Sequence, residues 1–196
     1  MIRRCLVILV VVLSYEALIS CSQGKKIERK IAKMSEEPIR VVTEGMLVCN
    51  VLDSILQNAD DKSKLKMVVW ADSSECSQCY IRHLDMWKGF VELERENPSG
   101  IQYFFILETV PEKLEEMITM IQDTQLDHSI YIDTAQYFRQ HNPTIPSDVM
   151  FHTFLLDSDN KVILVGNPTK NKSIYNLLNK ILDENLGISM KDNDSL

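Results

Sequence analysis

The stretch that decides the fold is the segment LKMVVW at residues 65–70, followed after five residues by CSQC at residues 76–79. The first segment is short and almost entirely apolar, which predicts a buried strand. Beyond the second segment, Leu84, Trp87 and Val91 recur at intervals of three and four residues, the period of an amphipathic helix. The sequence therefore places a CxxC pair where a buried strand passes into a helix.

The position of this pair predicts a reactive thiol. In the first turn of a helix the backbone N–H groups lack partners within the helix, and the helix dipole is positive. Both features favour the thiolate, the reactive form of cysteine. The two-residue spacer lets the sulfur atoms of Cys76 and Cys79 form and exchange a disulfide. Asp72 and Glu75 act in the opposite direction, since a nearby negative charge raises the pKa of a thiol.

Three other interpretations of the pair remain open. A structural disulfide would close so short a ring that it contributes only about 2 kcal/mol in the loop-entropy model. Zinc is the second, because Cys76, Cys79 and His83 form C-x2-C-x3-H, although the pattern supplies no fourth ligand. The third is a pair of thiols left in a redox-inactive module. Covalent haem attachment is excluded, since Tyr80 and not histidine follows the second cysteine.

The N-terminus has the pattern of an export signal. Two arginines precede nine apolar residues at 5–13, a run that is too short to span a bilayer. The segment LISC at 18–21 then resembles the lipobox of bacterial lipoproteins. That resemblance implies a signal peptide at 1–20 and a lipid on Cys21. The alternative is a signal that is cut elsewhere and leaves Cys21 as a plain thiol.

The remaining length fits one domain with appendages. We expect a partly helical tether at 21–37, one folded domain at 38–187, and a polar, disordered tail at 188–196. The formal net charge of −7 makes nucleic acid a poor partner, because binding to nucleic acid depends on neutralising phosphates. Membrane attachment would rest on the lipid. The residues after Cys21 are not acidic, so we expect the domain to face the periplasm, where disulfides persist.

Apolar periodicity and turn residues predict the other elements of the domain. Cys49 lies beside the apolar face of one predicted helix and is interpreted as a buried structural thiol, with a third redox partner as the alternative. The predicted strands lie at 38–43, 101–107 and 129–133, with a late hairpin of 152–157 and 161–166. The predicted helices lie at 48–56, from Pro111 onward, at 134–141 and at 173–186, where Gly187 caps the last one.

The order of these elements resembles the thioredoxin fold, and within it the TlpA/ResA-like group of membrane-attached bacterial thioredoxins. The segment VVWA at 68–71 with the CxxC resembles that family's strand and active-site motif. TFLLD at 153–157 with NKVI at 160–163 resembles its late hairpin. The resemblance covers about 38–186 and extends to lipoproteins of the Bacteroidetes style. It implies an α/β three-layer sandwich, with a central mixed sheet and helices on both faces.

By the same resemblance, Cys76 is the attacking thiolate and Cys79 resolves the mixed disulfide. The implied function is a membrane-anchored periplasmic thiol–disulfide oxidoreductase, with no cofactor and no metal. Its implied partners are periplasmic protein thiols or disulfides, and the lipid bilayer through N-terminal acylation. The alternatives are a redox-inactive thioredoxin-like module that binds a partner protein, and a metal-binding lipoprotein that uses Cys76, Cys79 and His83 or His152.

The chain departs from the family pattern at three points. Glu75 stands where the family has Trp before the first cysteine, and the linker after VVWA is four residues long instead of one or two. The family also has a cis-proline just before the late hairpin, at a place that corresponds to Phe151 or His152. The nearest proline is Pro146. His152 is therefore the candidate for the substrate-positioning place opposite the sulfur atoms.

Overall fold

The structure is a computed structural model that describes residues 24–50, 64–73 and 77–190, without the side chains of residues 50 and 77–79. Several sequence predictions therefore lie outside the described residues. They are the signal peptide at 1–20, the lipid attachment at Cys21, the attacking thiol of Cys76 and the thiol of Cys79. The greater part of the helix predicted at 48–56 and the tail beyond residue 190 lie outside them too.

The described elements alternate between helices and strands along most of the chain. The helices are α1 (24–34), α2 (Ser77–Arg82), α3 (Lys88–Glu96), α4 (Leu114–Gln122), α5 (Tyr137–His141) and α6 (Lys172–Leu186). The strands are β1 (Leu47–Asn50), β2 (Leu65–Ala71), β3 (Ile101–Glu108), β4 (Ser129–Asp133), β5 (Thr153–Leu156) and β6 (Val162–Val165). Short 3-10 turns lie at Leu84–Trp87, Pro111–Lys113 and Val149–Phe151.

The six strands form one mixed sheet in the order β1-β4-β3-β2-β5-β6. The strands β2, β3 and β4 run parallel, whereas β5 pairs antiparallel with β2 and β6 pairs antiparallel with β5. The strand β2 is hydrogen-bonded on both sides, and all seven of its residues are buried. The segment that decides the fold is thus an interior strand of the sheet, as its apolar composition predicts.

Alternation along the strands divides the core into two layers. Met67, Val69 and Ala71 of β2 belong to a first apolar cluster, together with side chains of α2, α3, α4 and α6. Val68 and Trp70 point to the other face and belong to a second cluster, which includes side chains of α1 and α5. Helices therefore cover both faces of the sheet, and the predicted three-layer α/β sandwich is confirmed.

The strand predicted at 38–43 is wrong, because this segment is bound by loops and not by a neighbouring strand. The backbone N–H of Arg40 donates to Oδ1 of Asn142 at 2.8 Å, and the Asn142 side chain donates back to the carbonyl of Arg40 at 3.0 Å. The N–H of Ile39 donates to the carbonyl of Asn160 at 2.8 Å. Since side chains and turns satisfy these backbone groups, the segment needs no ladder partner.

The beginning of the helix predicted at 48–56 is also wrong. Leu47–Asn50 forms β1, which pairs antiparallel with β4 so that Cys49 lies opposite Ile130. The free edge of β4 offers backbone partners to β-branched Val48 and its neighbours, and this tertiary pairing overrides the local apolar period. Cys49 is half-buried against the first cluster, and burial raises the pKa of its thiol.

The helix predicted after the CxxC pair is interrupted. It consists of α2, a 3-10 turn at Leu84–Trp87 and then α3. Leu84, Trp87 and Val91 are all buried, as their spacing predicts. A 3-10 turn has about three residues per turn, so it keeps Leu84 and Trp87 on one side and preserves the buried face across the break.

The elements in the late part of the chain agree closely with those predicted from the sequence. The hairpin of β5 and β6 turns at Asn160, whose φ of 60° is left-handed, and Gly187 caps α6 with a φ of 67°. Within α6, Tyr175, Leu178 and Leu182 are buried, whereas Leu177 is half-exposed.

Two flanking segments lie against the domain. Residues 24–34, within the predicted tether, form α1, and Met34 of this helix is fully buried in the second cluster. Ile188 and Met190, within the predicted tail, pack against the first cluster, and the N–H of Met190 donates to Oδ1 of Asn179 at 3.1 Å. Over the described ranges, no helix combines the length and apolar composition needed to cross a membrane.

Tyr103 in β3 provides a test of the first cluster. Its hydroxyl is buried and has no hydrogen-bond partner among the described residues. We expect Tyr103→Phe to raise the free energy of unfolding by about 1 kcal/mol, because an unsatisfied buried hydroxyl is costly. Burial, and then the charge of Glu94, raises the pKa of Tyr103 well above 10. The hydroxyl therefore destabilises the fold further as pH rises above about 10, and Tyr103→Phe should flatten that alkaline loss.

Chemical denaturation at pH 7 and at pH 11 measures both effects. Tyr137→Phe is the matched control, because the Tyr137 side chain is half-exposed. This control should change stability by less than about 0.5 kcal/mol. A loss of stability in Tyr103→Phe at pH 7 would show that the hydroxyl has a partner after all.

Candidate functional site

The chain brings four strand ends together at one edge of the sheet. The carboxyl ends of the parallel strands β2, β3 and β4 meet there, and the antiparallel strand β5 begins there. The CxxC pair follows β2 and therefore leaves the sheet at this edge. In open α/β sheets this is the edge at which ligands bind. The described residues around it are the candidate site.

Three acidic residues mark the strand ends. Asp72 directly follows β2, Glu108 ends β3 and Asp133 ends β4, and all three are buried. Arg139 of α5 reaches the first two. Its guanidinium lies 2.7 Å from Oδ2 of Asp72 and 3.2 Å from Oε2 of Glu108. Asp72, Glu108 and Arg139 are here called the strand-end cluster.

Glu108 is the centre of this cluster. Its Oε1 accepts from Nε1 of Trp70 at 3.1 Å, and its Oε2 accepts from the backbone N–H of Ser73 at 3.2 Å. It also accepts from Nε of Arg139 at 3.4 Å. The carboxylate therefore binds both the end of β2 and the beginning of the loop that leads to Cys76. A single buried side chain fixes the direction in which the chain leaves the sheet.

Arg139 is held from three sides. Burial lowers the pKa of its guanidinium, but hydrogen bonds and charges from Glu108 and Asp72 outweigh this and raise the pKa overall. Its guanidinium carbon also lies 5.2 Å from the centroid of the Trp70 ring, a cation–π contact. About a third of the Arg139 side chain remains exposed to solvent. The site therefore presents a positive charge at its surface above two buried negative charges.

Asp133 positions the helix that carries Arg139. Its carboxylate accepts from the backbone N–H groups of Ala135, Tyr137 and Phe138 at 3.2, 3.0 and 2.9 Å. These are donors at the beginning of α5, which a helix leaves unpaired. The end of β4 thereby fixes α5, and α5 places Arg139 against the ends of β2 and β3.

His152 directly precedes β5, which begins one residue later than the hairpin strand predicted at 152–157. Its carbonyl accepts from the N–H of Trp70 at 2.9 Å, and the two ring centroids are 4.2 Å apart. Nε2 lies 3.1 Å from the carbonyl oxygen of Pro146, so Nε2 carries a proton. The ring is buried beside the second cluster. The sulfur atoms of Cys76 and Cys79 lie outside the described residues, and the approach of His152 to them stays a prediction.

The backbone of the CxxC segment is described from Ser77 onward. It forms the beginning of α2, which packs against α4, and Ile81 anchors this helix in the first cluster. His83, the third residue of the predicted zinc pattern, is exposed. Within the part of the chain that the structure describes, no three His, Cys, Asp or Glu side chains are grouped to hold a metal ion. The sulfur atoms of Cys76 and Cys79 lie outside that part, so the zinc alternative stays a hypothesis.

The sequence alone does not reveal Glu108, Asp133 and Arg139 as parts of one site. One signal in the sequence is that an acidic residue stands at the end of each of three consecutive apolar strands. Arg139 has no such signal, since 67 residues separate it from Asp72 and 31 from Glu108. Only the parallel order of the strands brings these residues together.

The solved structures that this chain resembles are similar to it only at a low level. A proposed protein disulfide isomerase from Bacteroides thetaiotaomicron is 15% identical, with a TM-score of 0.46 over 65% of this chain and 77% of its own. An uncharacterized conserved protein from Geobacillus kaustophilus is 14% identical, with a TM-score of 0.48 over 80% and 85%. A proposed thiol:disulfide interchange protein from Chlorobium tepidum is 15% identical, with a TM-score of 0.42 over 63% and 81%.

No protein-family model matches the chain, and no curated protein matches it either. The fold assignment therefore rests on this chain's own strand order and direction. The parallel strands β2, β3 and β4 and the antiparallel hairpin of β5 and β6 have the order and direction that the resemblance to the thioredoxin fold implies. The chain has a thioredoxin-like fold.

Proposed function

We propose that the protein is a periplasmic, membrane-anchored thiol–disulfide oxidoreductase that works through Cys76 and Cys79. The observation that carries the proposal is the exit of the CxxC pair from β2, an interior strand of a thioredoxin-like sheet, at the edge where the strand ends meet. A structural disulfide or a pair of surface thiols does not need to follow an interior strand at this edge of the sheet. A redox pair needs a fixed support and access to solvent.

The proposed reaction is thiol–disulfide exchange. The thiolate of Cys76 attacks one sulfur of a substrate disulfide, forms a mixed disulfide and releases the other substrate sulfur as a thiolate. The thiolate of Cys79 then attacks the sulfur of Cys76 and releases the second substrate thiol. Two electrons pass from the CxxC dithiol to the substrate, and a Cys76–Cys79 disulfide remains. A protein dithiol that reverses these steps restores the enzyme.

The strand-end cluster supports the proposal through its charge. Asp72 and Glu108 precede and flank the loop to Cys76, and negative charge near a thiol raises its pKa. Arg139 neutralises part of that charge and lies between the carboxylates and solvent. In the proposed enzyme, Arg139 therefore helps to keep the Cys76 thiolate available near neutral pH.

Exposed apolar side chains near the same edge support a polypeptide substrate. Val110 follows β3, Tyr137 begins α5, and Val149 and Met150 lie in the turn before β5. Each of the four is more than two-fifths exposed. Side chains of this kind provide apolar contact area for a bound protein segment.

The rates at which the cysteines alkylate test the proposed roles. In the reduced protein we expect Cys76 to alkylate first, at a pH below the one that Cys79 requires, because unpaired N–H groups at the beginning of a helix favour the thiolate of the proposed attacking residue. Cys49 is the internal reference, since burial raises the pKa of its thiol. Mass spectrometry of the alkylated peptides over time, from pH 5 to pH 9, gives each rate. Equal rates for Cys76 and Cys49 would oppose the proposal and favour a redox-inactive module.

The proposed anchor is a lipid on Cys21, with 1–20 as the removed signal peptide. It is supported by the lipobox-like segment at 18–21 and by the apolar run before it. The proposed compartment follows, because the residues after Cys21 are not acidic and because a disulfide couple persists outside the cytosol. The proposed partners are protein thiols or disulfides of that compartment.

A further inference from the structure

The helix α1 carries a charge opposite to that of the rest of the protein. The segment 24–34 contains five basic side chains and one acidic side chain, in a chain with a formal net charge of −7. Four of the basic residues, Lys25, Lys26, Arg29 and Lys33, are exposed. At 100° per residue they lie on one side of the helix, opposite Ile27, Ile31 and Met34. These four residues are here called the basic face.

The basic face is fixed to the domain and is not part of a free tether. Met34 is buried in the second cluster, and Ile27 and Ile31 pack against it. The fifth cation, Lys30, lies 3.7 Å from the carboxylate of Asp148 and 5.0 Å from the centroid of the Phe151 ring. Since Lys30 binds the domain, only the other four cations face outward.

Nothing in the described residues neutralises this face. Among the ranges 24–50, 64–73 and 77–190, none of Lys25, Lys26, Arg29 and Lys33 forms an ion pair. A row of unpaired cations on a rigid helix is complementary to an anionic surface. The acidic remainder of the chain is repelled by such a surface, so binding there would orient the molecule with α1 toward it.

The place of α1 in the chain identifies which surface this is. The described part of α1 starts at Gly24, three residues after Cys21, and three residues span at most about 11 Å. If Cys21 carries a lipid, the beginning of α1 is held at the height of the lipid headgroups. That distance is close to the Debye length of about 8 Å at physiological ionic strength, within which charges act on each other.

We propose that the basic face of α1 lies on an anionic phospholipid bilayer and sets the orientation of the domain. The inference rests on the proposed lipid anchor of Cys21 for its geometry, but the charge of the face is independent of the anchor. Each basic residue close to an anionic membrane strengthens binding about fivefold. The net charge of the chain does not reveal this contact, because it averages one basic helix with an acidic domain.

The test is a lysine footprint of the full chain. The protein is extracted from membranes, its intact mass is checked for a lipid on Cys21, and it is inserted into preformed vesicles of phosphatidylcholine with or without phosphatidylglycerol. A neutral acylating reagent then modifies exposed lysines. We expect Lys25, Lys26 and Lys33 to react about fivefold more slowly on the phosphatidylglycerol vesicles, and this protection to vanish near 1 M salt.

Two controls make the footprint specific. Lys170 and Lys180 are exposed, lie outside the segment that carries the basic face, and should react alike on both vesicle types. In the variant Lys26→Glu/Arg29→Glu/Lys33→Glu, the remaining Lys25 should lose its protection while the melting temperature stays unchanged. In Lys170→Glu/Lys180→Glu, the protection of Lys25 should stay.

Equal reaction of the basic-face lysines on both vesicle types would overturn the inference. Protection that occurs in native membranes but not in phosphatidylglycerol vesicles would assign the face to a protein partner and overturn it as well. If the mass shows no lipid on Cys21, the proposed anchor fails separately. The unlipidated protein is then mixed with the same vesicles, and the same comparison of lysine rates decides the inference.

Discussion

Cells that express Cys79→Ser are expected to accumulate covalent complexes between this protein and other proteins. In the proposed mechanism the attacking thiol of Cys76 remains in this variant and forms the mixed disulfide, but no second thiol is present to resolve it. Cys76→Ser lacks the attacking thiol and should trap at least about tenfold less. Acid-quenched membrane fractions, alkylated and separated without reductant, show the complexes, and reductant should release them.

Cys49→Ser is the control for this experiment. Cys49 is half-buried on β1, and burial raises the pKa of its thiol, so its removal should change neither pattern. If Cys79→Ser and Cys76→Ser trap equally, the assignment of attacking and resolving roles is wrong. If neither traps above the level of the wild type, the redox-inactive module becomes the better account.

Replacement of Arg139 by methionine is expected to be among the most destabilising changes at the site. The substitution keeps an unbranched apolar side chain but removes the guanidinium that pairs with the buried carboxylates of Asp72 and Glu108. Loss of one partner of a fully buried ion pair costs about 3–5 kcal/mol. Because the Arg139 side chain is about a third exposed, we expect a smaller loss of about 2–3 kcal/mol. Chemical denaturation of the full chain measures it.

Two further variants show whether the loss comes from buried charge. Arg95 pairs with Asp127 at the surface, so Arg95→Met should cost less than about 1 kcal/mol. Adding Asp72→Asn to Arg139→Met removes one of the two buried carboxylates that have lost the guanidinium, and should recover about 1 kcal/mol or more. Strict additivity of the two substitutions would contradict the ion pair.

Arg139→Met also separates a structural role from a role in the chemistry. With the guanidinium gone, less positive charge offsets the carboxylates of Asp72 and Glu108 before the loop to Cys76, and we expect the pKa of the proposed attacking thiol to rise. The alkylation rate of Cys76 at pH 7 should therefore fall under conditions in which the variant is still folded. A merely structural role would leave that rate unchanged in the folded protein.

The elements that the sequence predicts well are those whose burial is determined locally. The run at 65–70 is apolar at almost every position because β2 is paired on both sides and covered on both faces. The late hairpin is recognised from its turn, where Asn160 adopts a left-handed backbone. In both cases the local sequence contains the information that the fold uses.

The sequence predictions fail where residues distant in the chain determine the secondary structure. The segment 38–43 is apolar enough to suggest a strand, but the side chain of Asn142, about a hundred residues away, bonds both backbone groups of Arg40. The strand β1 forms because it pairs with the edge of β4, and no local sequence pattern indicates this partner. The apolar period after the CxxC is right about burial and wrong about helix continuity, because a 3-10 turn keeps the same face buried.

The candidate site shows the same division. The CxxC and Asp72 are visible in the sequence because they lie within a few residues of one another. Glu108 and Arg139 belong to other elements, and only the parallel register of β2 and β3 places Glu108 beside the end of β2. Prediction of this cluster from the sequence would require the strand order, which local patterns do not contain.

The most direct test of the central claim is a redox titration of the full chain. The protein is equilibrated in glutathione buffers of graded ratio, quenched with acid, alkylated and analysed for the Cys76–Cys79 disulfide. We expect one reversible two-electron transition with a midpoint between about −120 and −270 mV, the range of oxidoreductases with this pair. A midpoint below about −300 mV would identify a structural disulfide. A pair that never oxidises, or one that retains zinc, would contradict the claim.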